Sequence, residues 1–272
     1  MGDAERKKKM KTNNLRLVAE VKNSKRNIRI ALVDGKWVAI VWDENGNATE
    51  VKLGVQSTAD LEKFFQEHGF QQPYNATNKA EYYSTEFENH ETPYMALAYY
   101  GFLASQGLPP TLDQFVEYYI NKFCQGVRGG KYTFKAAWDS NPIVFERKAL
   151  VGRLSRSYNS YNRELHLLFS IGEHKGVEAE YDLKDDLYKG IDLSVWRVRD
   201  DRYWGIASFV DTASSNGYKY GVKNVSRHQY NDEVIDVKAS LDSRSPDCFI
   251  VNNVVLHSHS CVDRLVKGIL AA

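Results

Sequence analysis

Apolar and polar positions alternate in RNIRIALV and KWVAIVW, which flank Asp34-Gly35. That pattern predicts two strands joined by a two-residue hairpin turn. A second turn, Glu44-Asn45-Gly46-Asn47, leads into TEVKL, so residues 15–56 read as a β-meander. TADLEKFFQEH carries helical spacing and stops at Gly69. Residues 71–90 are polar and aperiodic, the pattern of a linker.

A helical hairpin is predicted next. Thr92 and Pro93 start its first helix and Gly107 ends it. Pro109-Pro110 breaks the chain. Thr111 and Gln114 form a capping box for the second helix, whose apolar face is Phe115, Tyr119, Ile120 and Phe123. CQGVRGGKYTF reads as a Gly-rich basic loop. It lacks P-loop spacing, because Gln125 stands at the first glycine position and Tyr132 follows Lys131; a phosphate-contacting loop is the alternative.

The longest periodic segment is residues 143–171. Leu150, Leu154, Tyr158, Tyr161, Leu165 and Leu168 make one helical face. Arg153, Arg156 and Arg163 flank it, as a solvated basic face or a contact for a phosphate backbone. Strand patterns follow: VEAEYD, GIDLSVWRV and YWGIASFVDT, the last two joined by Arg199-Asp200-Asp201-Arg202. A basic stretch, SSNGYKYGVKNVSRHQYND, precedes the strands EVIDVKASL and CFIVNNVVL and a closing helix, HSCVDRLVKGIL. A basic crossover between strands predicts a mixed sheet.

Composition narrows the class. The chain has 272 residues, 43% hydrophobic and 26% charged, which is ordinary for a globular protein. No apolar run reaches the roughly 20 residues of a membrane helix, and the basic N-terminal stretch has no secretory apolar region. Three cysteines without framework spacing point to a reducing, cytoplasmic setting. A net charge of +1 leaves nucleic-acid binding to local patches.

Two acids stand out. Asp192 opens an apolar hairpin, where it is either a turn residue after Gly190 or a functional carboxylate. Glu164 lies at the edge of the buried helical stripe, where it either pairs with an arginine on its own helix or reaches a sheet end. His257, His259 and Cys261 would share a face if they lay on one strand, an alternative zinc site.

A long helix bearing Glu164, then KGIDLSV with Asp192, then the hairpin return YWGIASFVDT, resembles the PD-(D/E)XK, or restriction-endonuclease-like, superfamily over roughly residues 143–255. The resemblance implies an α+β, mixed α/β fold: an N-terminal β-meander plus helices and a C-terminal restriction-endonuclease-like mixed sheet flanked by helices. It divides the chain into residues 1–72, a recognition or interaction module; 73–142, a helical hairpin and connector; and 143–272, a nuclease-like domain.

It further implies a metal-dependent endonuclease cutting DNA, expected to be double-stranded, as a homodimer or with a partner protein. Mg²⁺, or Mn²⁺ in its place, would be held by Glu164, Asp192 and Asp211. The third strand departs from the family pattern, since Ser208-Phe209-Val210 and Phe209-Val210-Asp211 contain no lysine. Lys219 or Lys223 could reach back, or Asp236 and Lys238 could supply an acid-x-lysine on a later strand, where the plain alternative is a solvated face. Arg153, Arg156, Arg163, Lys223 and Arg227 would touch nucleic acid. Without a lysine, the same fold would be a catalytically inactive nucleic-acid-binding or complex-assembly protein. A protein-interaction module is a third class.

Overall fold

A computed structural model describes residues 24–75, 77–84, 95–134, 143–210, 233–240 and 245–272. Its architecture is mixed α+β, built on a seven-stranded sheet with two smaller sheets beside it.

The meander forms as its turns predict. Strand β1 (Asn27–Val33) pairs antiparallel with β2 (Lys36–Trp42), and β2 with β3 (Ala48–Lys52). Asp34 and Gly35 both take positive φ, 50° and 73°, the geometry of a type I′ turn. The meander does not stand apart. Its β1 pairs with β7 (Val177–Asp182), with Arg29 level with Asp182, so it extends the sheet of the C-terminal half.

Beyond β7 the sheet continues through β8 (Leu193–Arg197) and β9 (Arg202–Val210), both antiparallel to their predecessors. Strand β10 (Val234–Ala239) then joins β9 in parallel. The full order is β10-β9-β8-β7-β1-β2-β3.

Helix α1 (Thr58–His68) is capped by Ser57, whose side chain accepts the Asp60 N–H. Helix α2 (Met95–Gln106) is almost wholly buried. Thr92 and Pro93, its expected start, lie outside the described residues. Helix α3 (Leu112–Phe123) has the capping box of Thr111 and Gln114.

The central helix, α4 (Arg147–Gly172), packs across the sheet. Phe169 stacks on Trp37 at 4.2 Å, and a Cβ at Gly172 would meet that indole at 2.6 Å. Tyr100 stacks on Tyr181 at 3.7 Å, with Tyr99, Phe115, Tyr158 and Tyr161 around them. Tyr99, Tyr100, Tyr119, Tyr158 and Tyr181 are all core residues.

Three elements differ from expectation. CQGVRGGKYTF forms a β-hairpin, β4 (Cys124–Arg128) and β5 (Lys131–Phe134), joined by β6 (Ile143–Glu146) into a small sheet. Gly129 and Gly130 turn it with φ of 59° and 74°. CFIVNNVVL is two strands, β11 (Cys248–Val251) and β12 (Val254–His257), because Asn252 and Asn253 both adopt positive φ. A short helix, α5 (Leu183–Lys189), fills the β7–β8 connection; Asp182 caps it and Gly190 closes it in the left-handed conformation. Helix α6 (His259–Ala271) ends the chain. Among the described residues, no helix is long and apolar enough to cross a membrane.

Candidate functional site

Asp192 follows Gly190 and Ile191 where the chain leaves α5 and enters β8. Its N–H donates to the Ile206 carbonyl at 2.9 Å, and its Oδ2 accepts the Ser208 N–H at 2.7 Å. The carboxylate thus supplies the acceptor that the β8–β9 ladder would otherwise lack at its open end. The side chain is only 2% exposed. Glu164, 5% exposed, accepts the Ser160 hydroxyl at 3.0 Å through Oε1.

Arg163 is buried next to Glu164 on the same helix, and the charges of Glu164 and Asp192 both act on it. The sequence suggests it as a phosphate contact on an outer helical face, but it is 2% exposed. Its Nη2 donates to Ser160 Oγ at 3.2 Å, and its Nε has no hydrogen-bond partner among the described residues. Burial pushes its guanidinium down, opposed by Glu164, then Cys248, then Asp192. The burial follows from a second layer: α4 is covered by the sheet on one side and by α1, β11–β12 and α6 on another. Every residue from Asn162 to Ile171 is buried.

His257 completes the cluster. It is fully buried, with Nε2 3.0 Å from Ser208 Oγ. Burial, reinforced by the charges of Arg163 and His166, pushes its pKa down to about 3, so it remains neutral. Its Nδ1 has no hydrogen-bond partner among the described residues. Asp192, Ser208 and His257 therefore form a chain from a sheet end to the β12 terminus. No single-sequence signal links Ser208 to His257, because the pairing depends on β12 reaching β9.

The other expected residues lie elsewhere. Asp236 is half-buried and Lys238 exposed on β10, level with Ala207 and Phe209. They alternate with Val237, which is level with Ser208, so they project from the opposite face of the strand. Arg153 is half-buried, with Nη1 donating to Ser157 Oγ at 2.9 Å, and Arg156 is exposed. Part of the basic character of α4 is neutralised, since Arg147 pairs with Glu117 and Lys148 with Glu81. Asp211, Lys219, Lys223 and Arg227 fall outside the described residues.

Among the described residues, no group of three or more His, Cys, Asp or Glu side chains is placed to hold a metal ion. The zinc alternative does not form. His257 is buried at the end of β12, whereas His259 lies on α6 and binds Glu62 at 3.2 Å. Both His259 and the buried His166 reach the same Glu62 Oε1, beside a cavity of about 160 Å³ lined by Ser170, Glu173, His174 and Asp263.

No protein-family model, curated protein or solved structure matches the chain.

Proposed function

We propose that the chain is a metal-dependent DNA endonuclease of the PD-(D/E)XK type. The observation that carries this reading is the burial of two acids, Glu164 on the long helix and Asp192 at the entry to β8, whose charges both act on Arg163. Topology supports it as well: helix, three antiparallel strands, a crossover, and a fourth strand parallel to the third.

The donor chemistry suits Mg²⁺, a hard cation that prefers carboxylate oxygens. Two acids beside a guanidinium are too few by themselves, so Asp211 is the proposed third ligand. When bound, Mg²⁺ would neutralise phosphate charge and lower the pKa of water for attack on the diester. Arg163 would hold the two carboxylates in place rather than touch the substrate. Lys219 or Lys223, with Lys238 as the remaining candidate, would orient the attacking water. Arg153, Arg156 and Arg227 would grip phosphates of double-stranded DNA. The three cysteines are free thiols, which suits a reducing cytoplasmic setting.

A second reading is an inactive nuclease-fold protein that binds nucleic acid or assembles a complex. It is favoured by Ser208 and Val210 on β9 in place of an acid and a lysine, and by Asp192 serving a backbone N–H. A plasmid-nicking assay separates the two. Cutting that requires Mg²⁺ or Mn²⁺, stops in EDTA and is lost in Asp192→Asn supports the enzyme. Asparagine keeps an oxygen acceptor for Ser208, so the loss would not reflect a broken ladder. Salt-sensitive binding without cutting supports the second reading, and the absence of both defeats the enzyme and the nucleic-acid-binding form of the second reading.

A further inference from the structure

We infer that the tip of the β4–β5 hairpin is a basic arm that contacts the phosphate backbone of duplex DNA. This takes its partner class from the function proposed above and rests on that reading for it, but not on catalysis.

The hairpin emerges between α3 and α4 and is exposed along most of its length. Residues Gln125 to Lys131 are all exposed, and Val127 is 59% exposed. Its base is packed, since Phe134 is buried and stacks on Phe145 at 4.8 Å, whereas its tip is covered by nothing among the described residues. Its composition is one-sided. Between Glu117 and Asp139 the sequence has Lys122, Arg128, Lys131 and Lys135 and no acid.

Arg128 lies directly across from Lys131 in the register, at the two ends of the Gly129-Gly130 turn. Like charges placed opposite each other in an antiparallel pair oppose pairing. Neither side chain forms an ion pair among the described residues, although Glu146 is level with Lys131 on β6. Such a pair is unfavourable in the free protein and becomes favourable beside phosphates.

The hairpin is the outer part of a three-stranded sheet, with β6 paired along β5, so its turn meets a duplex from the side. Strand β6 runs directly into α4. From Arg147 to Glu164 the helix rises roughly 26 Å at ~1.5 Å per residue. Along a duplex with ~3.4 Å per base pair, that separates the hairpin from the Glu164–Asp192 cluster by roughly seven or eight base pairs. The arm would therefore grip flanking duplex rather than the scissile position.

The test is fluorescence anisotropy with a short labelled DNA duplex in EDTA over a salt series, on the full chain. Arg128→Ala/Lys131→Ala is expected to weaken binding at least tenfold and to flatten the salt slope by about 1.8, at ~0.9 per phosphate contact. Arg128→Glu supplies a sign test. It turns a repulsive cross-strand pair into an attractive one, so its melting temperature should hold or rise while affinity falls. Lys52→Glu, an equivalent change on the remote edge strand β3, should leave binding unchanged.

If wild type binds the duplex and the hairpin variants bind equally well, the inference is overturned and the nuclease reading survives. That is also the result expected of a hairpin serving an acidic protein. Hairpin-dependent binding without plasmid nicking would keep the inference and remove the enzyme. No duplex binding by wild type, together with no nicking, removes both.

Discussion

The Asp192 carboxylate accepts the Ser208 backbone N–H at 2.7 Å, and Ser208 passes the connection on to His257 through its hydroxyl at 3.0 Å. A buried acid at a strand entry thus has a structural duty independent of any metal. Asp192→Ala removes the acceptor and leaves a buried N–H unpaired. That should cost about 1–3 kcal/mol of stability, read by urea unfolding. Asp192→Asn keeps an acceptor and should lose less than half as much. Equal losses for the two variants would show that the charge, not the hydrogen bond, matters to folding.

Arg163 is the positive member of the same cluster. Replacing it with Met removes its hydrogen bond to Ser160 and its attraction to Glu164, Cys248 and Asp192, at a cost of about 1–3 kcal/mol. Urea unfolding of wild type and Arg163→Met measures the loss. A variant as stable as wild type would mean that the burial cost of the guanidinium cancels its attractions.

The sequence shows some of this plainly and hides the rest, for physical reasons. Asp34-Gly35 and the Thr111/Gln114 box are local signals, and local chemistry alone determines them. The Asn252-Asn253 and Gly129-Gly130 turns are equally local in origin, since both dipeptides suit positive φ, yet CFIVNNVVL reads as one strand and CQGVRGGKYTF as a loop when apolar pattern and glycine content are weighed alone. Arg163 was not legible. Its position beside an apolar stripe implies a helix with one buried face, and only the covering layer of α1, β11–β12 and α6 makes the second half of α4 buried all round. The joining of β1 to β7 has no local signature either, since Arg29 and Asp182 meet across most of the chain. Asp192 and Glu164 are singled out as acids on apolar elements, and both prove buried. That the charges of both act on Arg163 depends on tertiary packing.

His257 predicts an acid-sensitive fold. Its pKa falls from 6.5 to about 3 on folding, chiefly through burial. The unfolded chain therefore binds a proton below pH 6.5 that the folded chain refuses. Stability is fully present above pH 6.5 and is lost as pH falls, by up to ~1.4 kcal/mol per pH unit for this group. His166 is also pushed down by burial and acts in the same direction. His257→Asn should flatten the slope of unfolding free energy between pH 6.5 and pH 4, even if it lowers stability at pH 7. An unchanged slope would place the acid sensitivity elsewhere.

Glu180, on the sheet's central strand, predicts the opposite pH dependence. It sits on β7 with Arg29 Nε at 3.5 Å, near Asp182 and Asp185. Burial raises its pKa to about 7; Arg29 opposes this, and the two aspartates reinforce it. The folded state therefore holds a proton between pH 4.5 and 7 that the unfolded state releases. The resulting stability is fully present below pH 4.5 and lost as pH rises through 7. Glu180→Gln mimics the protonated form. Because the side chain is 19% exposed, solvent relieves part of the strain. The substitution should stabilise the protein by about 1–2 kcal/mol at pH 8. At pH 4.5 the difference should nearly vanish. Urea unfolding at the two pH values measures both. A variant destabilised at pH 8 would mean that the pairing with Arg29 outweighs burial and the neighbouring acids.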